Sequence, residues 1–261
     1  MRVYLNDDWK FTTTFAPQMC EEDFDDASLT SVRLPHTMVE VPFHYFDESL
    51  YQVTGGYRRI LHAPAEWEGK HVLLTIDGAA HYAEVFFNGT KIASHANGYT
   101  AFTVDLAPYL RFGADNVLAV MGDSHETLNQ PPFGFVIDYM TFGGLTREVW
   151  LDVKEASYIE DVFVHSLVAV KSKRAKITAE VMVGGAQQEG LRVRESLRKK
   201  GAQDYVVLAE GSVADGMCSL TKIANGIELW DLTSPVLYEV KTELLAGDVV
   251  LDEEITVTGF R

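Results

Sequence analysis

Short runs of alternating apolar and polar residues, separated by turn residues, follow one another from residue 51 onward. In one of them, Val72, Leu74 and Ile76 share a face. Another leads into Asn88-Gly89, the strongest short hairpin signal. A period of two residues is typical of β-strands with one buried face, and no long helical period interrupts the pattern. The spacing of these runs predicts an all-β module, a sandwich or a jelly roll.

A second module of alternating runs begins near Glu155. Residues 176–183 alternate without a break, and residues 249–257 supply another run. About seven such runs in roughly a hundred residues are typical of an immunoglobulin-like sandwich, although the Cys…Trp…Cys spacing of antibody domains is missing. We therefore predict two domains, a jelly-roll β-sandwich over residues 1–154 and an immunoglobulin-like β-sandwich over residues 155–261.

Prolines and glycine pairs mark the expected ends of elements. We expect a strand over Val32–Thr37 that ends at its proline, because proline cannot donate to a strand ladder. Gly55-Gly56 is expected to precede the strand of Tyr57–Leu61. Gly143-Gly144 and Gly184-Gly185 are expected to be turn glycines, since glycine adopts positive φ without steric cost.

The charge balance limits the classes of partner. The chain has 38 acidic and 22 basic residues, a formal net charge of −16. Such a surface repels nucleic acid and anionic membranes, so we expect neither as a partner. Arg192, Arg194 and Arg198 form a local basic run, which we interpret as the solvated face of a strand rather than a binding patch.

The sequence carries no visible targeting signal. No stretch approaches the roughly 18 apolar residues that a membrane helix needs, and residues 1–8 lack the apolar core of a secretory signal. Cys20 and Cys218 are the only cysteines, and we expect both to be free thiols, which suits a reducing compartment. The expected localisation is cytoplasmic.

Several kinds of catalytic and cofactor motif are absent. The eight histidines have no zinc-binding spacing, and there is no G-x-S-x-G elbow, Walker loop or G-x-G-x-x-G turn. We therefore expect no metal site and no cofactor. Sugar cleavage needs an acid and a nucleophile, but the pattern singles out no pair among the 38 acidic residues.

The candidate binding segment covers residues 131–150, a proline-containing loop followed by an alternating strand. Asp138 lies there among aromatic residues, and a carboxylate can accept two hydroxyl hydrogen bonds while rings cover the apolar face of a sugar. The pattern alone favours a plainer alternative, in which Asp138 caps a turn. A second aromatic loop, residues 42–47, contains His44 and Tyr45. Its rings either pack against a neighbouring layer or line a pocket.

Taken together, several stretches resemble the N-terminal part of glycoside hydrolase family 2, the group of β-galactosidases, β-glucuronidases and β-mannosidases. Their order and spacing along the whole chain carry the resemblance. The matching stretches are Leu5–Phe11, Val32–Thr37 (V-x-L-P-H-T), Gly56–Arg59 (G-x-Y-R-R), Val85–Gly89 with His95–Phe102 (V-x-V-N-G…H-x-G-G-Y-T-x-F), Asn116–Val120 (N-x-L-x-V), Asp138–Val149 (D-x-x-x-x-G-G-I-x-R-x-V) and Leu229–Tyr238 (L-W-x-x-x-S-P-x-L-Y).

The chain departs from the family's pattern at three places. Leu29 and Thr30 stand where members often carry a Trp, Gly56 replaces a common aromatic before Tyr57, and Thr146 replaces one before Arg147. We expect these departures to change packing rather than chemistry.

The resemblance implies a larger protein. Family members continue from a jelly-roll sugar-binding domain and an immunoglobulin-like domain into a TIM barrel that carries both catalytic glutamates. Gly259-Phe260-Arg261 is similar to the G-F-R at which the family enters its barrel, and a barrel needs roughly 250 further residues. We therefore expect an N-terminal fragment without catalytic residues, inactive by itself. Its expected partners are its own barrel and a β-galactoside-type sugar, and its parent is expected to be a homo-oligomer.

The resemblance also assigns the binding residues. Asp138 matches an aspartate that, in the family's galactosidases, reaches into the barrel's active site and contacts the sugar; His44 and Tyr45 are expected to approach the same site. The sequence around Asp138 is more similar to β-galactosidases than to β-glucuronidases. This similarity predicts that the parent hydrolyses terminal β-galactosides with retention. The alternatives are a stand-alone carbohydrate-binding module, a structural interaction protein, or part of a β-glucuronidase or β-mannosidase.

The free-thiol hypothesis makes a direct prediction. Cys20 and Cys218 should both react with a thiol reagent once the chain is unfolded without reductant, because neither thiol is expected to be in a disulfide. Mass spectrometry of the labelled peptides would read out each cysteine separately. Failure of either to react would refute the hypothesis.

Overall fold

The structure is a computed structural model that describes residues 2–40, 44, 47–131, 133, 141–186 and 189–261. This part of the chain contains nineteen β-strands and five short 3-10 helices. It divides into two compact units, Met1–Val153 and Lys154–Arg261. The prediction of an all-β chain is confirmed.

The first unit is a sandwich with a six-stranded sheet of order β3-β2-β4-β10-β7-β8 and a four-stranded sheet of order β1-β12-β5-β9. A two-stranded ribbon, β11-β6, completes it. The strands are β1 (Arg2–Tyr4), β2 (Trp9–Thr12), β3 (Thr30–Val32), β4 (Thr54–Ala63), β5 (His71–Ile76), β6 (Ala79–Ala80), β7 (Tyr82–Phe87), β8 (Thr90–His95), β9 (Phe102–Asp105), β10 (Ala114–Asp123), β11 (Gly144–Leu145) and β12 (Val149–Lys154).

One apolar core joins the inner faces of the two large sheets. The predicted inward faces are confirmed, since Val72, Leu74 and Ile76 of β5 are fully buried there. The Asn88-Gly89 hairpin is also confirmed: Phe87 of β7 pairs with Thr90 of β8. Both turn residues have positive φ, 47° at Asn88 and 80° at Gly89, as the tightest hairpin turns require.

Three expectations about element ends are wrong. Gly55 and Gly56 lie inside β4 rather than before it. The neighbouring residues leave no room for a side chain there, since a Cβ at Gly56 would lie 2.7 Å from Sδ of Met19. The strand expected over Val32–Thr37 already ends at Val32, where the chain turns towards the end of the sandwich. Gly184 is a strand residue, and a Cβ there would lie 2.7 Å from the ring of Tyr158.

The departures from the family's pattern leave different traces in the packing. The space above Gly56 is filled by Met19 and Phe15, from the segment that covers this sheet. Beside Leu29 and Thr30 lies an open cleft of about 200 Å³ that is also lined by Phe11. Met19 and Phe15 therefore occupy the space that a side chain at position 56 would take, whereas the space beside Leu29 and Thr30 is open.

Asn116 is the most heavily bonded polar residue in the first unit's interior. It is fully buried in β10, and its Oδ1 accepts hydrogen bonds from Nδ2 of Asn88 at 2.9 Å and from the backbone N–H of Arg111 at 2.9 Å. Its Nδ2 donates to the carbonyls of Arg111 and Ala114. Asn116 thus ties the hairpin turn to the loop before β10.

The second unit has a three-stranded sheet, β13-β14-β17, and a four-stranded sheet, β16-β15-β18-β19. Its seven strands agree with the immunoglobulin-like pattern predicted from the sequence. They are β13 (Ser157–Ala169), β14 (Arg174–Gly185), β15 (Leu191–Lys199), β16 (Val206–Ser212), β17 (Met217–Asn225), β18 (Tyr238–Ala246) and β19 (Val249–Thr258).

The arginines of β15 are paired with acidic side chains. Arg192 and Arg194 contact Glu210 at 2.9 and 2.6 Å. Arg198 contacts Glu239 at 2.5 Å. The interpretation of this run as a strand face, not a basic binding patch, agrees with these pairs.

The C-terminal motifs close one end of the second unit. The Tyr238 and Phe260 rings lie 5.0 Å apart, and Phe260 is fully buried. The hydroxyl of Tyr238 accepts a hydrogen bond from the backbone N–H of Glu228, and the N–H of Trp230 donates to the carbonyl of Phe260. These motif residues are therefore packing residues.

Replacing Asn116 by Ala should lower the free energy of unfolding by about 2 to 4 kcal/mol, because buried N–H and C=O groups lose their partners. Urea denaturation would measure the difference. The matched control is Asn225→Ala at an exposed position of β17, which should stay within about 0.5 kcal/mol of the parent chain. Equal effects of the two substitutions would contradict the role of Asn116.

Candidate functional site

Several chain segments meet at one end of the first unit's central strands, where β4 and β7 begin and β10 ends. We call this end the rim and define it as residues 36–38, 51–54, 79–81, 122–126 and 141–145. The two aromatic loops that carry the predicted binding residues leave from the rim, one after Met38 and the other after Glu126.

The hydroxyl of Tyr57 lies beneath the rim. It is within 2.9 Å of Nδ1 of His36, and the backbone N–H of Leu145 donates to it at 3.4 Å. The Tyr57 ring packs against Phe11 and Trp9 of the core. Burial raises the pKa of the Tyr57 phenol and lowers the pKa of the His36 imidazole, so both groups are neutral near pH 7.

The C-terminal end of the candidate segment is fixed to the rim by close backbone approach. The N–H of Met38 donates to the carbonyl of Gly143 at 3.0 Å, and Gly144 pairs with Ala80 of β6. A Cβ at Gly143 would lie 2.2 Å from Cβ of Ser124. Only Gly144 of this pair has positive φ, 122°, so close packing rather than turn geometry requires Gly143.

Ser124 fixes the other loop at the same place. Its hydroxyl donates to the carbonyl of Tyr51 at 2.7 Å and accepts from the N–H of Val53 at 2.9 Å. Thr141 donates to Oε1 of Glu126 at 2.7 Å, which joins the described residues on the two sides of residues 127–140. Both candidate loops are thus attached to one scaffold.

The structure places one of the three predicted binding residues. His44 is exposed on a bend of its loop. Asp138 and Tyr45 lie outside the described residues, so the roles of all three stay predictions. The carboxylate oxygens at the described part of the rim, on Asp123 and Glu126, are acceptors that suit hydroxyl donors.

His81 is a rim residue that the sequence did not single out. It is 1% exposed, and neither ring nitrogen has a hydrogen-bond partner among the residues that the structure describes. Burial lowers the pKa of its imidazole, and the charges of Glu126 and Asp123 partly oppose this shift. His81 is therefore a neutral, buried ring beside two carboxylates.

Among the described residues, no cluster of three or more His, Cys, Asp or Glu side chains is placed to hold a metal ion. None of the helices in this part of the chain has the length and apolar character of a membrane span.

Family models match both units. The model for the sugar binding domain of glycosyl hydrolases family 2 matches residues 11–155, and the model for glycosyl hydrolases family 2 matches residues 157–261. The chain belongs to glycosyl hydrolase family 2. The resemblance found in the sequence motifs is confirmed.

Individual relatives agree with this family. The chain is 30% identical to a β-galactosidase of Thermoanaerobacter pseudethanolicus over 98% of its length, which is 35% of that protein. It is 28% identical to a β-galactosidase of Thermoanaerobacterium thermosulfurigenes over 99% of its length, 37% of that protein. The chain thus spans about a third of the length of these relatives.

A solved structure is similar throughout. β-Glucuronidase 2 of Bacteroides uniformis, covalently bound to cyclophellitol-6-carboxylate aziridine, matches with a TM-score of 0.85 and 26% identity. The match covers 100% of this chain and 32% of that one. Family 2 members with both names, β-galactosidase and β-glucuronidase, are therefore similar to this chain.

The rim residues missed by the sequence analysis were partly visible in its motifs. His36 and Tyr57 belong to two of the matching stretches, but only the fold shows that they bond to each other. Ser124 carries no local signal because its partner Tyr51 is distant in sequence, and His81 carries none because the carboxylates near it, on Asp123 and Glu126, are also distant.

Replacing Tyr57 by Phe should cost about 1 to 3 kcal/mol of unfolding free energy, since Nδ1 of His36 and the N–H of Leu145 would lose their partner. Urea denaturation would measure it. Tyr109→Phe, at a side chain that is 40% exposed, is the matched control and should be nearly neutral. If Tyr57→Phe is as mild as the control, the hydroxyl does not hold the rim.

Proposed function

We propose that this chain is the N-terminal, non-catalytic part of a longer family 2 β-galactosidase, which hydrolyses terminal β-galactosides with retention. In this proposal, a TIM barrel beyond Arg261 supplies the acid/base and the nucleophile. The two sandwiches support that barrel, and the first also contributes Asp138 to the sugar site. The parent enzyme is a homo-oligomer, and the 261-residue chain is inactive alone.

The observation that carries the proposal is the nearly full-length match of this chain to about a third of two β-galactosidases. A part that aligns from end to end with one third of an enzyme fits a supporting role in a longer protein. The sequence of the Asp138 segment is similar to that of the family's galactosidases, which supports the same substrate class.

The rim explains how a non-catalytic domain could contribute to binding. Sub-ångström placement of a polar group matters for transition-state binding, so a contacting loop needs a rigid support. The bonds of Gly143, Ser124 and Thr141 provide that support at the rim, where residues 127–140 begin and end. A carboxylate presented there would accept hydrogen bonds from two hydroxyls of a galactoside.

A β-glucuronidase is the second candidate, because the Bacteroides uniformis structure is a β-glucuronidase. Its sugar carries a carboxylate. The carboxylates of Asp123 and Glu126 at the rim, and the net charge of −16, disfavour an anionic sugar through like-charge repulsion. Comparing p-nitrophenyl β-galactoside with the β-glucuronide as substrates of the full-length enzyme separates the two candidates.

A stand-alone carbohydrate-binding module should present an accessible aromatic platform. Tyr4 and Trp150 pack together in the first unit, 6.3 Å apart and tilted by 58°. The guanidinium of Arg2 covers the Trp150 ring at 4.9 Å, and the indole N–H donates to Asp152. This pair is therefore a poor stacking surface for a sugar.

In the full-length product of the gene, Asp138→Asn should lower kcat/KM on the galactoside about 10- to 100-fold, as expected for loss of a charged hydrogen-bond acceptor. Steady-state kinetics would measure this. Asp115→Asn, at an exposed residue paired with His62 at the opposite end of β10, is the control and should leave kcat/KM unchanged. Wild-type kinetics in Asp138→Asn would remove this residue from the sugar site.

A further inference from the structure

Glu195 is an acidic residue in the apolar interior of the second unit. It is 3% exposed and lies at a bulge of β15, where the register with β16 shifts between Glu195 and Ser196. Its Oε1 accepts a hydrogen bond from the hydroxyl of Thr242 at 2.8 Å. Its Oε2 is buried and has no hydrogen-bond partner in the described part of the chain.

The space beside the Glu195 carboxyl group is small and mostly apolar. A cavity of about 10 Å³ lies there, lined mostly by aliphatic side chains from both sheets of the unit. Besides Glu195, the residues that line this cavity are Ile177, Ala179, Leu208, Ala209, Leu220, Lys222 and Val240. A buried water needs two to four polar partners, and an aliphatic wall does not supply them.

Two arginines of the strand that carries Glu195 already have acidic partners. On β15 itself, Arg194 pairs with Glu210 and Arg198 pairs with Glu239. These arginines therefore do not compensate a charge on Glu195.

The charged groups on the other strands packed against Glu195 do not compensate a charge on it either. On β18, Lys241 pairs with Glu243 at 2.9 Å. On β17, Cys218 is buried and Lys222 is exposed, although its side chain lines the cavity. The facing residues of β14 in the cavity wall are Ile177 and Ala179, which carry no charge.

We propose that Glu195 is a proton-linked switch of the second unit: with its carboxyl group protonated the β15–β18 pair packs stably over the cavity, and ionisation loosens the unit. An ionised carboxylate in this position keeps one hydrogen bond and an unsolvated oxygen, whereas the neutral acid avoids the cost of burying a charge.

The direction of the effect follows from proton linkage. Burial raises the pKa of Glu195 from its ordinary value of 4.5 to about 7, and the Thr242 hydrogen bond opposes this shift. The folded state therefore binds the proton more tightly than the unfolded state does. The stabilisation is complete below about pH 4.5 and is lost as the pH rises through about 7.

The two cysteines allow this switch to be measured within one chain. Cys218 is buried in the second unit near Glu195, and Cys20 is buried in the first unit. Buried thiols are labelled when their unit opens, so the labelling rates report opening of each unit. In the wild-type chain, the Cys218 to Cys20 rate ratio with dithiodipyridine should rise on the order of tenfold from pH 5.5 to pH 8.

Three variants decide the origin of that rise. Glu195→Gln keeps the shape without the charge, and its ratio should be flat. Glu243→Gln, a buried glutamate that is paired with Lys241, should keep the wild-type rise. Thr242→Val removes the bond to Oε1 and should enlarge the rise, because the ionised form loses its remaining partner. This variant also provides a test if Glu195→Gln does not fold.

A flat ratio in the wild type would overturn the proposal. So would a rise in Glu195→Gln equal to that of the wild type, or a rise in Thr242→Val that is no larger than in the wild type.

Discussion

The hydroxyl of Tyr57 connects the apolar core of the first unit to the end from which the candidate loops leave. Its ring is part of the core, and its oxygen lies against His36 and the backbone of Leu145. Because Tyr57 is fully buried, its hydroxyl finds its hydrogen-bond partners within the fold, on the half-buried His36 and on Leu145. The rim is therefore positioned by the same residue that fills the core, and the support of the candidate site is inseparable from the fold.

Individual buried polar residues differ in how completely they are paired. In the first unit, Asn116 and Ser124 are almost fully paired, which fixes turns and loops with respect to the strands. In the second unit, Glu195 is only partly paired, so its charge state bears on stability. A satisfied network specifies one arrangement, whereas an unsatisfied group leaves an arrangement that conditions can shift.

Local signals predicted the strands and the hairpin well, because alternation and Asn88-Gly89 act within a few residues. They failed where a distant part of the chain decides the outcome. The local sequence predicts a strand boundary at Gly56, yet this residue lies within β4, and Met19 fills the space above it. Likewise the bonds between His36 and Tyr57 and between Ser124 and Tyr51 arise from the fold. For the candidate site, the sequence and the family resemblance named Asp138, His44 and Tyr45, and the structure adds the scaffold that carries their loops.

In the function that we propose, this chain supports a sugar-cleaving site whose catalytic carboxylates lie elsewhere in a longer enzyme. The most direct measurement is hydrolysis of a panel of nitrophenyl β-glycosides by the 261-residue chain and by the full-length product of its gene. We expect activity only in the longer protein, strongest on the β-galactoside. Activity of the short chain, or a gene product that ends at Arg261, would contradict it.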